Sequence, residues 1–487
     1  MSKGIDDSEI PAVKVLPYDF AVENTCIGMR WLYEDELLVG VSNEIDENEV
    51  EKILQKIRKT FKIEAQSQRV NTEHLLQIID NSYSEVTGEE FSHSKSINPQ
   101  KERSIAELVN NILARAIDFR ASDIHIEPTE TDLHIRARID GKMETVTRLK
   151  SEFAAPVVSR LKVLARMNIV ERRRPQDGQF SFTIGTKTID VRLATVATLF
   201  GEKLVLRVLD SSKALSDIQD LGITEEDLKL FEQMVKSNFG LIVAAGPTGS
   251  GKTTTLHSAI RNLNTSDKNL TTLEDPVEYV VEGVNHIPID ESIGASFAVQ
   301  LRAILRQDPD VVLVGETRDS ETARIAIQGA LSGRLVLTSL HAPDAVGVIY
   351  RLFQMDIEPH LVAASLNGIV AQRLVRKICV YCKQTHRATA SERAILNVAS
   401  DVSLTLAHGV GCAMCRGTGY FDRVGVFQLL LISDSLREVI SRRPSPNELY
   451  AAAKREKLKT LEESALRLVY NKQTTLEEIS HLIGSGS

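Results

Sequence analysis

Residues Gly246-Pro247-Thr248-Gly249-Ser250-Gly251-Lys252-Thr253 complete the pattern G-x-x-x-x-G-K-[ST], and no other stretch restricts the fold of this chain as strongly. The pattern works only as a strand, a loop and a helix in succession. The flanks supply that context, because the apolar run Leu241 to Ala245 reads as a buried strand and Thr254 to Leu263 as a helix. Successive backbone N–H groups and the helix N-terminus would then cradle phosphates. Lys252 would reach the β- and γ-phosphates of ATP, and the Thr253 hydroxyl would help to hold a magnesium ion that keeps several waters.

Two further apolar runs deliver acid at their carboxyl ends. Thr271 to Leu273 leads into Glu274-Asp275-Pro276, and Val311 to Val314 leads into Gly315-Glu316-Thr317-Arg318-Asp319. Open parallel sheets bind their ligands at that edge. Phosphoryl transfer asks for positioning and charge stabilisation, so Glu316 is expected to order the attacking water with Glu274 in support. An ordinary acidic surface loop is the alternative for either glutamate alone. Between them Arg302 and Arg306 stand four apart on an expected helix that Pro309 ends. Such pairs are most often solvated, but guanidinium forks also suit the spread charge of a γ-phosphate.

These residues carry a family resemblance. Gly246 to Thr253, Leu273-Glu-Asp-Pro-Val-Glu278, Ile304 to Asp319 and Ala371-Gln-Arg-Leu-Val-Arg-Lys377 resemble the corresponding motifs of the type II secretion ATPases and of the related type IV pilus assembly and retraction ATPases. The resemblance runs from about Leu16 to the C-terminus. It implies a homo-hexameric ATPase on the cytoplasmic face of a bacterial inner membrane, which uses ATP hydrolysis to assemble a pseudopilus. By the same resemblance Glu316 matches the Walker B catalytic glutamate, Glu274 and Glu278 match an acidic box, and Arg192, Arg207, Arg302, Arg306, Arg318 and Arg423 match arginines that gather around the nucleotide. The family's histidine box departs here, with Arg334 in place of its first histidine and His341 retained as the second. Arginine cannot titrate near neutral pH, yet it can still donate to phosphate, so Arg334 bears on rate and coupling more than on nucleotide binding. A structural, hydrogen-bonding role is the alternative for His341.

Cys379-Val-Tyr-Cys382 and Cys412-Ala-Met-Cys415 form two C-x-x-C pairs separated by 29 residues. Four thiolates can close a tetrahedral shell around zinc, and a closed shell is structural because no position is left for water. The intervening loop is longer than in the usual zinc ribbon. Disulfides are the alternative, disfavoured in the reducing compartment that the resemblance implies. Similar four-cysteine subdomains occur in the resembling secretion ATPases and are missing from the retraction ATPases. Cys26, the fifth cysteine, is expected to be a small packed side chain.

At 487 residues the chain is too long for one core. The resemblance implies that the fold is α/β and multidomain, a RecA-like P-loop core preceded by a smaller α+β domain. The boundaries read as 1–80 for an N-terminal partner-docking domain, 81–104 for a polar linker, 105–212 for the N-terminal half of the ATPase unit, 213–376 for the RecA-like half, 377–430 for the tetracysteine subdomain and 431–483 for a helical region, with 484–487 resembling an appended flexible linker. In the first domain Val50, Ile53, Leu54, Ile57 and Phe61 fall on one helix face. Further on, Leu133 to Ile139 alternates as a strand before an Asp140-Gly141 turn, so Arg136 and Arg138 share its outward face as solvated or paired charges, or else line a subunit boundary. No run reaches the roughly 18 apolar residues of a membrane span, and the first residues lack a signal-peptide core, which predicts a protein made and kept inside the cell; the resemblance implies that this cytoplasmic protein is held peripherally at the inner membrane.

A net charge of -8 argues against nucleic acid as a partner, so a nucleic-acid translocase is the least favoured of the readings. The resemblance implies instead the cytoplasmic domain of a single-pass inner-membrane protein, bound through the N-terminal domain around Leu16-Pro-Tyr-Asp-Phe20, together with a polytopic platform protein and acidic lipid. A type IV pilus assembly ATPase is the near alternative, although such ATPases usually carry a longer N-terminal region. A nucleotide-binding scaffold that does not hydrolyse is the other, supported only by Arg334.

Overall fold

A computed structural model of the chain describes residues 16, 20–21, 24–33, 36–61, 63–72, 75, 105–184, 187–209, 217–399 and 401–483. The chain forms two units, Met1–Leu209 with Lys377–Asp422 and Asp210–Arg376 with Arg423–Ser487. The expected linker 81–104 and residues 17–19 and 484–487 lie outside the described residues.

The first unit begins with β1 (Cys26–Tyr33), β2 (Glu36–Ser42), α1 (Glu47–Phe61) and β3 (Glu64–Val70). The sheet order is β1-β2-β3, with β1 antiparallel and β3 parallel to β2, so α1 is the crossover that a parallel pair requires. Val50, Ile53, Leu54 and Ile57 of α1 are buried against Leu37, Val39 and Val41, which share one face of β2 because strand side chains alternate.

A second module follows: α2 (Ile105–Asp118), β4 (Asp123–Pro128), β5 (Asp132–Ile139), β6 (Lys142–Lys150), α3 (Ala154–Leu164), β7 (Gln176–Ile184), β8 (Lys187–Thr198) and β9 (Gly201–Leu209). Its strands lie in the order β6-β5-β4-β9-β8-β7, antiparallel throughout. Leu133, Ile135, Ala137 and Ile139 of β5 pack into one core with Leu108 and Ile112 of α2 and Val157 and Leu161 of α3. Asp140 and Gly141 have φ of 47° and 89°, the left-handed pair that a two-residue hairpin needs. Arg136 bonds Glu127 at 2.7 Å and Arg138 lies 3.9 Å from Asp123, so both outward arginines are paired surface charges.

The second unit is built on β10 (Gly240–Ala245), β11 (Leu270–Glu274), β12 (Asn285–Pro288), β13 (Val311–Val314), β14 (Leu335–Leu340) and β15 (Leu366–Ile378). From β15 the chain passes into the hairpin of β16 (Lys383–Arg387) and β17 (Thr405–Gly409), then returns as β18 (Tyr420–Leu431). The sheet order is β12-β11-β13-β14-β10-β15-β18, and β10 to β14 pair in parallel. Around it pack α4 (Glu225–Val235), α5 (Lys252–Leu263), α6 (Phe297–Ile304), α7 (Ser320–Leu331) and α8 (Ala345–Gln354). Leu241, Val243 and Ala245 enter one core while Ile242 and Ala244 enter the other, which explains why β10 is apolar without alternation. Helices between Asp434 and Ile479 complete the unit, with Ser433, Ser445, Thr460 and Thr475 as N-caps. The boundary expected at 430 therefore falls inside a strand, since β18 belongs to the sheet.

Lys162 on α3 is only 1% exposed and donates to Glu202 at 2.7 Å and to the Glu171 carbonyl at 2.6 Å. Breaking such a pair strands one buried charge. Lys162→Met is expected to destabilise the unit by about 3–5 kcal/mol, whereas Lys162→Met with Glu202→Leu recovers most of the loss. Denaturant unfolding of the two variants beside wild type checks this.

Candidate nucleotide site and metal centre

Parallel register brings the ends of four strands to one edge. Ala245 is level with Leu340, Val314 with Thr338, and Leu273 with Val314. The loops that leave this edge carry the phosphate-loop pattern, Glu274, Glu316 and His341.

The glycines of the loop are required by its path. A side chain at Gly246, where φ is 150°, would stand 2.5 Å from both the Gln372 carbonyl and Ser250 Oγ. Gly251, at φ 89°, caps α5 and lies against the Gln372 amide. Thr255 donates to Gln372 Oε1 at 2.7 Å, tying the base of the loop to β15. Lys252 Nζ donates to the carbonyls of Gly246 at 2.9 Å and Pro247 at 3.0 Å, so its donors converge on the loop. Ser250 Oγ is buried with no hydrogen-bond partner among the described residues. Burial pushes the Lys252 ammonium below the usual lysine range, and the Glu316 carboxylate acts on it in the opposite sense. A lysine, an unused hydroxyl and a helix N-terminus at one loop fit a phosphate chain. Thr253, the second residue of α5, is half-buried there.

The acidic loops differ from one another. Glu316 is half-buried and ion-paired with Arg318, and its loop is pinned by Thr317 N–H on the Ser339 carbonyl at 2.9 Å and Ser339 Oγ on the Gly315 carbonyl at 2.7 Å. Glu274 is 3% exposed, with His257 Nε2 at 2.9 Å from Oε2 and His286 Nδ1 at 3.3 Å from Oε1. Burial alone would raise its pKa, but the hydrogen bonds and charge of His257, with help from Thr272 and His286, hold it below the usual glutamate value. Glu278 is half-buried four residues further on, and His341 is exposed at the end of β14. His257 and His286 went unnoticed in the sequence. His257 gave one signal, its place beside Leu256, Ala259 and Ile260 on the apolar side of α5.

The four cysteine sulfurs lie within 4.8 Å of one another. Cys379–Cys412 is 3.8 Å, and Cys382–Cys415 and Cys412–Cys415 are each 3.7 Å. Tetrahedral Zn–S bonds of about 2.3 Å require edges of about 3.8 Å. The backbone N–H groups of Cys412 and Gly419 each approach Cys415 Sγ at 3.2 Å, as suits a thiolate. The cluster fits zinc without rearrangement. Cys26 is buried in the first module, and burial pushes its thiol up to about 12.

Residues 98–481 match the model of the type II/IV secretion system proteins. The chain belongs to this family. Type II secretion system protein E of Pseudomonas aeruginosa is 44% identical over 375 residues, covering 77% of this chain and 74% of that protein. The type IV pilus assembly ATPase PilB of Myxococcus xanthus is 43% identical over 401 residues, covering 81% and 71%. Among solved structures, the pilus retraction motor PilT with bound ADP matches with a TM-score of 0.53 and 26% identity over 77% of this chain and 97% of that one. The Legionella pneumophila ATPase DotB matches in fold, with a TM-score of 0.59 and 19% identity over 82% and 98%. The fold is the mixed α/β secretion ATPase fold with an N-terminal α+β part and a tetracysteine cluster.

The arginines singled out by the sequence have the following surroundings, each within its own unit. Arg302 pairs with Glu321 at 2.6 Å, and α6 stops at Ile304, so Arg306 falls in the following turn instead of sharing a helix face with Arg302. Arg192 and Arg207 stand opposite each other on β8 and β9, and Arg207 lies 3.3 Å from Asp123. Arg423 is half-buried on β18. Arg334 lies at the other end of its strand. It precedes β14, where its carbonyl accepts from Gly240 N–H, and its guanidinium bonds Ser332 and the Leu305 carbonyl. The strand of Leu335–Leu340 separates it from the phosphate loop by about 20 Å at roughly 3.3 Å per residue, so it is no phosphate donor to this loop.

Two measurements follow from this geometry. Gly246→Ala forces a methyl group into the Gln372 carbonyl and is expected to weaken nucleotide binding by about tenfold or more, or about 1.4 kcal/mol, in a titration with a fluorescent ATP analogue. Metal analysis is expected to give about one zinc per chain in wild type and almost none in Cys412→Ser/Cys415→Ser.

Proposed function

We propose that the chain is the ATPase of a type II secretion system, a homo-hexamer that converts ATP and water to ADP and phosphate and couples this to pseudopilus assembly at the cytoplasmic face of an inner membrane. The observation that carries the reading is the parallel register that brings the phosphate loop and the Glu316 loop to one edge of the sheet, in a chain 44% identical to a type II secretion protein E. Lys252 and the loop amides receive the phosphates, and Thr253 holds magnesium, which offsets charge on the phosphate oxygens. Glu316 orients the attacking water, with Arg318 as its partner. Glu278 and His341 supply polar contacts from the flanking loops. Arg192, Arg207, Arg302, Arg306 and Arg423 are the reserve of positive charge for the transferring phosphoryl group. Zinc on Cys379, Cys382, Cys412 and Cys415 is structural, because four thiolates leave no position for water.

Among the described residues no helix is long and apolar enough to cross a membrane, so attachment is taken to run through partners. These are the cytoplasmic domain of a single-pass inner-membrane protein on the N-terminal module, a polytopic platform protein and acidic lipid. Pilus assembly is the second reading, favoured by the 401-residue match to PilB.

Magnesium-dependent ATP hydrolysis measured across protein concentrations is expected to rise in specific rate as the chain oligomerises, and to fall at least about a hundredfold in Glu316→Gln while ATP binding persists. Turnover that is unchanged in Glu316→Gln would remove this assignment.

A further inference from the structure

The most deeply buried charged cluster of the second unit lies behind the reacting edge. Glu274 ends β11 with both carboxylate oxygens taken, one by His257 from α5 and one by His286 from β12. The hydrogen bonds assign the tautomer of His286. Val281 N–H donates to its Nε2 at 3.0 Å, so Nδ1 carries the proton and shares it between Thr272 Oγ1 at 2.8 Å and Glu274 Oε1 at 3.3 Å. His257 donates through Nε2 to Glu274, and its Nδ1 is buried with no hydrogen-bond partner among the described residues. The imidazole is 2% exposed, and Tyr279 stands edge-on to it with ring centres 5.4 Å apart. Its ring lies parallel to that of His286, 6.3 Å away.

An apolar side chain would fill this place on α5 without leaving a ring nitrogen unpartnered. What the imidazole adds is a link. α5 begins at the phosphate loop, and Glu274 abuts Gly315, the residue before Glu316: a side chain at Gly315 would meet the Glu274 Cα at 3.4 Å. Tyr279 and Val281 tie the loop that carries Glu278 to the same two rings. The helix that receives phosphate and the strand end beside the water-orienting glutamate are thus joined through one carboxylate.

We propose that His257 and His286 are positioning residues for ATP hydrolysis, which clamp Glu274 between them and so fix the acidic edge relative to the phosphate loop. The proposal rests on the hydrolytic reading above. Its effect falls on turnover, because nucleotide binding draws on Lys252 and the loop amides, which neither histidine touches.

The test uses the full chain with His257→Leu, which fills the space but removes the donor, and His257→Gln, which returns an amide N–H. His257→Leu is expected to lower kcat by on the order of tenfold to a hundredfold, the cost typical of removing the partner that orients a reacting or ligating group. The affinity for a fluorescent ATP analogue is expected to stay within about twofold, and His257→Gln to recover most of the rate. Hydrogen–deuterium exchange in residues 277–284 is expected to rise in His257→Leu and to stay near wild type in His257→Gln. Equal rates and equal exchange in the two variants, or a loss of nucleotide affinity in step with kcat, overturns the proposal. If His257→Leu does not fold, His286→Leu is read in the same way. A wild type without Glu316-dependent turnover refutes the hydrolytic reading and is told apart by that control, while the exchange comparison still decides whether the clamp exists.

Discussion

The parallel pairing of β10 with β14, and of β13 with both β14 and β11, is the constraint on which the rest of the second unit depends. In parallel strands every carboxyl end faces the same way, so one register decision delivers the phosphate loop, Glu316, Glu274 and His341 to a common edge. Slipping β14 by a single residue would exchange the two faces of the strand and leave both cores mismatched. The two clusters that share β10 between them therefore do more than stabilise it. They fix the position of Ala245, and with it the start of the loop, to within a fraction of a residue.

The tetracysteine segment illustrates a different constraint. It leaves the chain from β15 and returns through β18, yet its contacts place it in the first unit. A piece this small cannot exclude enough water to fold on a hydrophobic core of its own. Its cysteines instead join a shared core in which Cys379, Cys382, Met414 and Cys415 pack with Ala21, Ile27, Met29, Val70 and Leu75. The three-stranded sheet thus has both faces covered, one by α1 and the other by the cysteine knuckles, leaving a void of only about 10 Å³. Asp140 accepts from the backbone of Asp422 at 3.1 Å, and Arg120 stacks on Phe421 at 3.8 Å, which attaches the same segment to the second module. The cysteine segment therefore lies at a junction of three parts of the first unit.

Much of this was legible in the sequence where a local pattern and a tertiary need coincide. β13 matches the apolar run Val311–Val314, the alternation of β5 is met residue by residue, and the stripe on α1 is buried at Val50, Ile53, Leu54 and Ile57. The four thiols stand at the spacing that two C-x-x-C pairs announce. What could not be read is what depends on partners distant in the chain. Arg302 and Arg306 satisfy a helical spacing, but α6 ends at Ile304 before the second of them, as Asp308 turns with φ of 50° ahead of Pro309. Arg334 sits in a motif that suggests phosphate, yet strand direction carries it to the far edge, and only the pairing of β14 with β10 reveals which end faces the nucleotide loop. His257 and His286 are 29 residues apart and meet only because β12 lies beside β11.

The same pairing separates the roles of two glutamates at like positions. Each lies at the carboxyl end of a parallel strand, and the expectation from sequence is Glu316 at the water with Glu274 in support. Their surroundings differ. Glu316 is partly open, and its partner Arg318 is an exposed side chain that can change contacts at little cost. Glu274 has no such freedom, because both oxygens are engaged by rings that are themselves packed, and turning it outward would strand His257 as a buried donor. Two like groups in unlike environments are driven to unlike tasks. The partly open carboxylate is suited to orienting a reactant that comes and goes, and the buried one to holding the frame in which this happens.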